Sequence, residues 1–249
     1  MTGDGFPTAQ PRRTALVTGA SHGLGAVVAR FLAGIGFELT VTGRRRPDLD
    51  AVVGELRALG ATASGVPGDV ADPAHRARLA EIVAGSGRLD LLVNNASELG
   101  ASPLRPLSEV ELDDFRRVLE VNVLAPVALV RAVRPELERA HGLVVNISSD
   151  AAVAAYERWG TYGASKAALD LISRTLAAEL RSSGVSVVSV DPGDMRTAMH
   201  QAAFAGEDIS DRPLPEVTLP FWAWLLGESP GHVSGQRFRA QAETWEIAS

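Results

Sequence analysis

Short apolar runs alternating with helical stretches constrain this chain most. The runs are Thr14–Thr18, Glu38–Thr42, Ala61–Val66, Leu89–Asn94, Leu143–Ser148 and Val185–Val190, with a short last one at Gln236–Ala240. Most are continuously apolar rather than alternating, the mark of parallel strands covered on both faces. Between them lie helical patterns over 23–35, 48–59, 73–86, 108–139 and 161–182. Strand–helix–strand repetition of this kind predicts an α/β fold, a doubly wound parallel sheet flanked by helices. Nothing reads as a linker or a repeat, so residues 13–249 are taken as one domain after a flexible N-terminal tail over 1–12. The rhythm breaks at Met195–Pro215, a polar stretch with Gly206, Pro213 and Pro215, before a short helix at Leu219–Leu226.

Bulk properties exclude several classes. With 46% hydrophobic residues in 249, a substantial core is available. A net charge of -6 argues against nucleic acid as the main partner. The chain has no cysteine, which removes disulfides and thiolate chemistry. His75, His141 and His232 read as exposed or loop residues, and no cluster has metal-ligand spacing, so no catalytic metal is expected. No apolar run reaches transmembrane length, and residues 1–13 lack a signal-peptide core; the expectation is a cytoplasmic protein with no membrane partner.

The first strand runs into Thr18-Gly19-Ala20-Ser21-His22-Gly23-Leu24-Gly25, which opens the first helix. Glycines at this spacing let backbone N–H groups approach a pyrophosphate, and the helix N-terminus adds partial positive charge. The spacing is a relative of the dinucleotide fingerprint. After the second strand, a carboxylate would select NAD through its ribose 2′-hydroxyl. Here the chain reads Thr42-Gly43-Arg44-Arg45-Arg46. Guanidinium groups suit a 2′-phosphate, so Arg44 and Arg45 point to NADP(H), with His22 as a further donor. The plainer reading is a solvated basic turn before Pro47. Asp69 could accept from an adenine amino group while Val70 covers the ring; Asp72, before Pro73, reads as a helix cap. Asn94, Asn95 and Ala96 end the fourth strand at the sheet edge that lines such crevices.

Tyr162 and Lys166 lie four apart at the start of a helical pattern and share a face. A free phenol, with a pKa near ~10, is a poor proton donor or base at neutral pH. An adjacent ammonium is expected to lower that value and make the pair a general acid/base. Ser149, thirteen residues earlier, ends the fifth strand, and its hydroxyl could polarise the same carbonyl oxygen. Ser148 and Ser149 could also simply cap a loop. Asn122 sits in an apolar helical stretch, where a buried amide needs partners.

Together these motifs resemble the short-chain dehydrogenase/reductase family from Thr14 to about Ala240. They are Thr18–Gly25, Asp69-Val70, Asn94-Asn95-Ala96, Asn122, Ser149, Tyr162 with Lys166, and Pro192-Gly193-Asp194-Met195-Arg196-Thr197. The resemblance implies a Rossmann-type fold with a doubly wound parallel sheet of about seven strands, a nicotinamide cofactor and a catalytic tetrad of Asn122, Ser149, Tyr162 and Lys166. Asn122 would hold a water linking Lys166 to solvent, and Lys166 would bind the nicotinamide ribose. It further implies cofactor contacts from Gly19, Ser21, His22, Gly23, Leu24, Gly25, Asn95, Ala96, Pro192, Gly193, Met195 and Thr197. The family's usual Asn-Asn-Ala-Gly reads Asn94-Asn95-Ala96-Ser97 here, and its Asp-Gly-Gly ending is absent after Gly235-Gln236.

The expected activity is reversible hydride transfer between NADP(H) and a small-molecule carbonyl or alcohol. Rival readings are a non-catalytic cofactor-binding scaffold and an epimerase acting through transient oxidation. The substrate would be walled by Glu98–Leu104, Asp150–Trp159 and a lid over 195–215, with Tyr156, Trp159, Met199, His200 and Phe204 as candidate contacts. The family's habit of pairing its long helices predicts a homodimer or homotetramer.

Overall fold

The computed structural model describes residues 12–247. The tail expected over 1–12 lies, but for Arg12, outside the described residues. Seven parallel strands form one sheet: β1 (Thr14–Thr18), β2 (Glu38–Gly43), β3 (Ala63–Pro67), β4 (Leu91–Asn94), β5 (Leu143–Ile147), β6 (Ser186–Asp191) and β7 (Arg237–Arg239). Their order is β3-β2-β1-β4-β5-β6-β7. The chain winds outward from β1 to β3, then returns to place β4 on the other side of β1. Val17 pairs with Val41 on one side and Val93 on the other. The direction of winding reverses between β1 and β4, and the crevice beyond their carboxyl ends is where such sheets bind ligands.

Both faces are covered, which explains why the strands read as unbroken apolar runs. Ala15, Val17, Val41, Val93 and Val145 point to one face, packed by α1 (Gly23–Gly34), α2 (Arg46–Ala58) and Phe221 and Trp222. Leu16, Leu92, Val144 and Val187 point to the other, packed by Leu79 and Val83 of α3 (Pro73–Ser86) and by Leu129 and Ala177. Asp72 caps α3 by accepting from the N–H of Ala74, as the Asp-Pro pair predicts.

The helix expected over 108–139 is instead broken. It comprises a short 3-10 turn (Leu107–Glu109), α4 (Leu112–Leu119), a π-helical turn (Glu120–Leu124), α5 (Ala125–Ala132) and α6 (Arg134–Ala140). Prolines explain two of the joints. Pro126 has no N–H for the carbonyl four residues back, that of Asn122, and Pro135 lies in the first turn of α6. The next helix, α7 (Gly160–Glu179), carries Tyr162 and Lys166 as predicted. The irregular stretch after β6 contains α8 (Ala198–Ala203), followed by α9 (Leu219–Gly227) and α10 (Pro230–Val233). No helix among the described residues is long and apolar enough to cross a membrane.

His75 corrects the expectation of an exposed histidine. It is buried at 6% exposure, its Nε2 lies 2.8 Å from the Thr42 hydroxyl, and burial lowers its pKa.

Candidate active site

A cleft of about 800 Å³ runs along the carboxyl edge of the sheet. The ends of β1, β2, β4, β5 and β6 all deliver residues to it, and so do α7 and α8. Lys166 and Ser149 of the expected tetrad line it, as do Tyr162 and every expected cofactor contact except Gly25. Gly25 lies one layer behind. Asn122 stands behind the wall, fully buried.

The glycine turn is built by close packing. Gly19 has φ +64°, which favours a residue without a side chain, and a Cβ there would sit 2.8 Å from the Cα of Ala96. A Cβ on Gly25 would run into the carbonyl oxygen of Gly19. Asn95 locks this arrangement: its Nδ2 donates to the carbonyls of Thr18 (2.9 Å) and Gly19 (3.1 Å), and its N–H donates to the Thr18 hydroxyl. His22 is the N-cap of α1 but makes no side-chain cap, and the first turn carries no acid. Its Nδ1 lies 2.9 Å from the Ser21 hydroxyl instead. The first N–H groups of α1 are therefore free for an anion. Thr197 faces this turn, with its Cγ2 3.6 Å from where a Cβ of Gly23 would stand.

At the other end, Arg44 and Arg45 are well exposed beside the cleft. Arg44 Nη1 reaches across to Glu98 Oε2 at 3.3 Å, and Arg45 pairs with Asp48. Asp69 is partly committed within the chain. Its Oδ1 accepts from the N–H of Ala71, and its Oδ2 accepts from Arg117, another residue of the cleft wall. Burial pushes this carboxyl up, but those two donors outweigh it and leave the pKa lowered.

The Tyr162–Lys166 pair departs from the expected tuning. Both side chains are buried. Lys166 Nζ stands 5.4 Å from the phenol ring centroid and donates to the carbonyl of Ile147 at 2.7 Å. Burial pushes Tyr162 up to about 12, against the lowering effect of the Ser97 and Ser149 hydroxyls. Burial likewise pushes Lys166 down to about 8, with Asp170 opposing. Desolvation dominates both groups, so the phenol holds its proton more tightly than a free tyrosine rather than less.

Ser149 does cap a turn: its hydroxyl accepts from the N–H of Ala151 at 3.2 Å and donates to Asp150 Oδ1 at 3.1 Å. It nonetheless lines the cleft beside Tyr162. Ser148 is more deeply buried, and its hydroxyl has no partner among the described residues. The Asn122 amide is fully used. It accepts from the Glu98 N–H (2.7 Å) and the Ser97 hydroxyl (3.2 Å), and donates to the Glu98 carbonyl and the Ser165 hydroxyl (2.9 Å each). A link from Asn122 to Lys166 would have to use its backbone carbonyl, the one Pro126 leaves without its helical donor.

Trp159 packs edge-on to Tyr162 (5.7 Å between centroids) and against Phe204 (6.0 Å), which in turn meets His200 (4.8 Å). Tyr156 stands at the mouth, its hydroxyl donating to Asp150 at 2.7 Å. Among the described residues, no group of three or more His, Asp or Glu is placed to hold a metal ion.

Sequence reasoning passed over Ser97 as a contact, and missed Arg117, Asp191, Arg237 and Gln241. Gln241 Nε2 donates to the carbonyls of Pro192 and Asp194 and so shapes the turn at Gly193. Arg237 opens the last strand and is only half-buried, so nothing in the sequence marked it out.

Comparison with known proteins agrees with this architecture. The model of the short chain dehydrogenase family matches residues 13–208. Dehydrogenase/reductase SDR family member 4 of Bos taurus is 35% identical, covering 90% of this chain and 84% of the relative. A short chain dehydrogenase structure from Shigella flexneri, complexed with NADP, has a TM-score of 0.86 at 31% identity, covering 92% of this chain and 97% of that one. Another from Escherichia coli, complexed with NADPH, has a TM-score of 0.85 at 31% identity over 92% and 97% of the two chains. The chain belongs to the short-chain dehydrogenase/reductase family, a family of oxidoreductases that use nicotinamide cofactors.

Proposed function

We propose that this protein is an NADP(H)-dependent oxidoreductase that interconverts a carbonyl and a secondary alcohol, with Tyr162 as general acid/base. One observation carries the reading. The Ser149 and Tyr162 hydroxyls stand in the same cleft as a glycine-built, acid-free helix N-terminus and two exposed arginines.

The cleft fits the cofactor on its own features. The Gly19 and Gly25 positions leave no space for side chains, so backbone N–H groups can meet a pyrophosphate directly. Arg44 and Arg45 suit a 2′-phosphate, and the NADP- and NADPH-bound relatives support that preference. Asn95, Ala96, Pro192, Gly193, Met195 and Thr197 line the same cleft, and the last four would meet the nicotinamide. When bound, the cofactor supplies a hydride to the carbonyl carbon, or takes one from the alcohol.

The chain's own groups handle the oxygen and the proton. The Ser149 hydroxyl, with its proton turned from Asp150 into the cleft, holds the substrate oxygen. The Tyr162 hydroxyl donates its proton as charge develops there, and burial keeps that proton in place at neutral pH. Lys166 supplies a buried cation near the phenol that favours the phenolate as it forms, while burial keeps the resting phenol protonated. The segment 195–215, with Met199, His200 and Phe204, acts as a lid over Trp159.

Exposed Leu112 and Leu124 on the α4–α5 run and Leu171 on α7 support a homodimer or homotetramer. The test of function is turnover of ketones with NADPH by wild type and Tyr162→Phe. Loss of turnover with retained NADPH binding supports the reading. Equal turnover in the two proteins sinks it.

A further inference from the structure

The strongest feature that the proposed function leaves unused is a buried charge cluster behind Ser149. Arg237, on the last strand, directs its guanidinium to three elements at once. Nε donates to Asp170 Oδ2 on α7 at 2.9 Å. Nη2 donates to the carbonyl of Ser149 at 2.8 Å and to Asp191 Oδ2 at 3.3 Å. The side chains of Asp170 and Asp191 are only 9% and 5% exposed, and that of Arg237 is 23% exposed. Two buried carboxylates thus share one guanidinium.

Each partner belongs to a different part of the catalytic apparatus. Asp170 stands one turn beyond Lys166 on the same face of α7. Ser149 presents its hydroxyl to the cleft while its carbonyl is held from behind. Asp191 ends β6, and its other oxygen accepts from the N–H of Gly193 at 3.0 Å, bracing the turn expected to face the nicotinamide. We propose that Arg237 is a positioning residue of the catalytic centre. It fixes the catalytic helix, the Ser149 strand end and the Pro192–Gly193 turn relative to one another, and it balances the Asp191 carboxylate, which shares the cleft with Tyr162.

The electrostatic half has a definite sign. The cleft that holds the phenol is also lined by Lys166 on α7, Ser97 and Glu98 after β4, Ser149 and Asp150 after β5, Asp191 at the end of β6, Asp194 after it, and His200 on α8. Among these, Asp191 and Asp150 raise the Tyr162 pKa. Burial raises the pKa of Asp191, and the Gly193 N–H and the Arg237 guanidinium oppose that rise. Without Arg237, the negative charge at Asp191 acts on the phenol unopposed wherever the phenol titrates, in the alkaline range.

This inference rests on Tyr162 being the acid/base, yet its test needs neither substrate nor turnover. The chain has only two tyrosines, Tyr156 and Tyr162. Biosynthetic fluorotyrosine lowers phenol pKa values, and two fluorine NMR resonances can be followed against pH, with Tyr156→Phe providing the assignment. Arg237→Met is expected to move the Tyr162 titration to higher pH by ~0.5 unit or more. Arg237→Lys, which keeps the charge, is expected to return most of the shift. Asp191→Asn, which keeps an acceptor for Gly193, is expected to move it to lower pH. A purely structural arginine would change stability and leave the titrations superimposed, and that result overturns the proposal. If Arg237→Met does not fold, Arg237→Gln is compared with Arg237→Lys: an upward shift in the former that the latter lacks supports the proposal, and superimposed titrations refute it. A carbonyl panel without turnover would refute the oxidoreductase reading and leave this result standing.

Discussion

Lys166 and Tyr162 are neighbours on one face of α7, but the ammonium donates to the carbonyl of Ile147 at 2.7 Å rather than to the phenol oxygen. A buried cation anchored on main chain has consequences for stability. Its pKa is lowered from 10.5 to about 8. A depressed folded-state pKa means that stability rises as pH climbs from about 8 towards 10.5 and is lost again as pH falls through 8. The shift corresponds to about 3 kcal/mol. Lys166→Met is expected to flatten the pH dependence of unfolding in that window while removing turnover. Urea unfolding at several pH values checks this; an unchanged slope would place the lysine's titration elsewhere.

Tyr162 has the opposite sign. Its pKa is raised from 10.0 to about 12, so the folded protein holds a proton that the unfolded chain releases. That contribution is fully present below pH 10 and is lost as pH rises through 12. Tyr162→Phe is expected to resist alkaline unfolding better than wild type, read as the midpoint of a pH-induced loss of near-ultraviolet dichroism. A midpoint at lower pH than wild type would contradict the burial argument.

Arg44 and Glu98 make competing demands. The 3.3 Å pair occupies the guanidinium expected to meet a 2′-phosphate. Arg44→Ala removes a charge-assisted contact of about 1.5–3 kcal/mol, so NADPH affinity should fall by about ten- to a hundredfold while NADH affinity changes little. Glu98→Gln frees the arginine. An exposed pair is worth at most about 1 kcal/mol, so NADPH binding should tighten by no more than a few-fold. Fluorescence titration of the three proteins with both cofactors checks the pair; equal losses for NADPH and NADH in Arg44→Ala would remove the 2′-phosphate assignment.

Gly25→Ala tests the cradle. A methyl group there meets the carbonyl of Gly19 and the Asn95 amide, both backbone-locked, so the turn must open. Cofactor binding of either kind should be abolished, with a lowered melting temperature. Unimpaired binding would mean that the turn is looser than its packing indicates.

The legible part of this molecule was its sheet edge. Parallel strands buried on both faces leave apolar runs that end where the polar residues begin, so Thr18, Asn94, Ser149 and Pro192 each marked a carboxyl end. Spacing on one helix face joined Tyr162 to Lys166. Contacts between elements far apart in sequence left no such trace. His75 reads as an ordinary polar residue of a helix until Thr42 is seen opposite it. Arg237 gains meaning only when the strand order sets β7 beside β6. The phenol's pKa depended on a balance between burial and charge that spacing cannot weigh. The broken helix was readable in part: Pro126 and Pro135 were present in the sequence, and continuous apolar periodicity masked them.

The central claim is that Tyr162 transfers the proton while the glycine turn and Arg44 hold NADP(H). Its most direct test is NADPH consumption by wild type and Tyr162→Phe across a panel of ketones, with NADPH affinity measured on both proteins. The account requires wild-type turnover of at least one ketone, a loss of about 10²–10⁴-fold in the variant, and similar NADPH affinities. Comparable rates in the two proteins would contradict it.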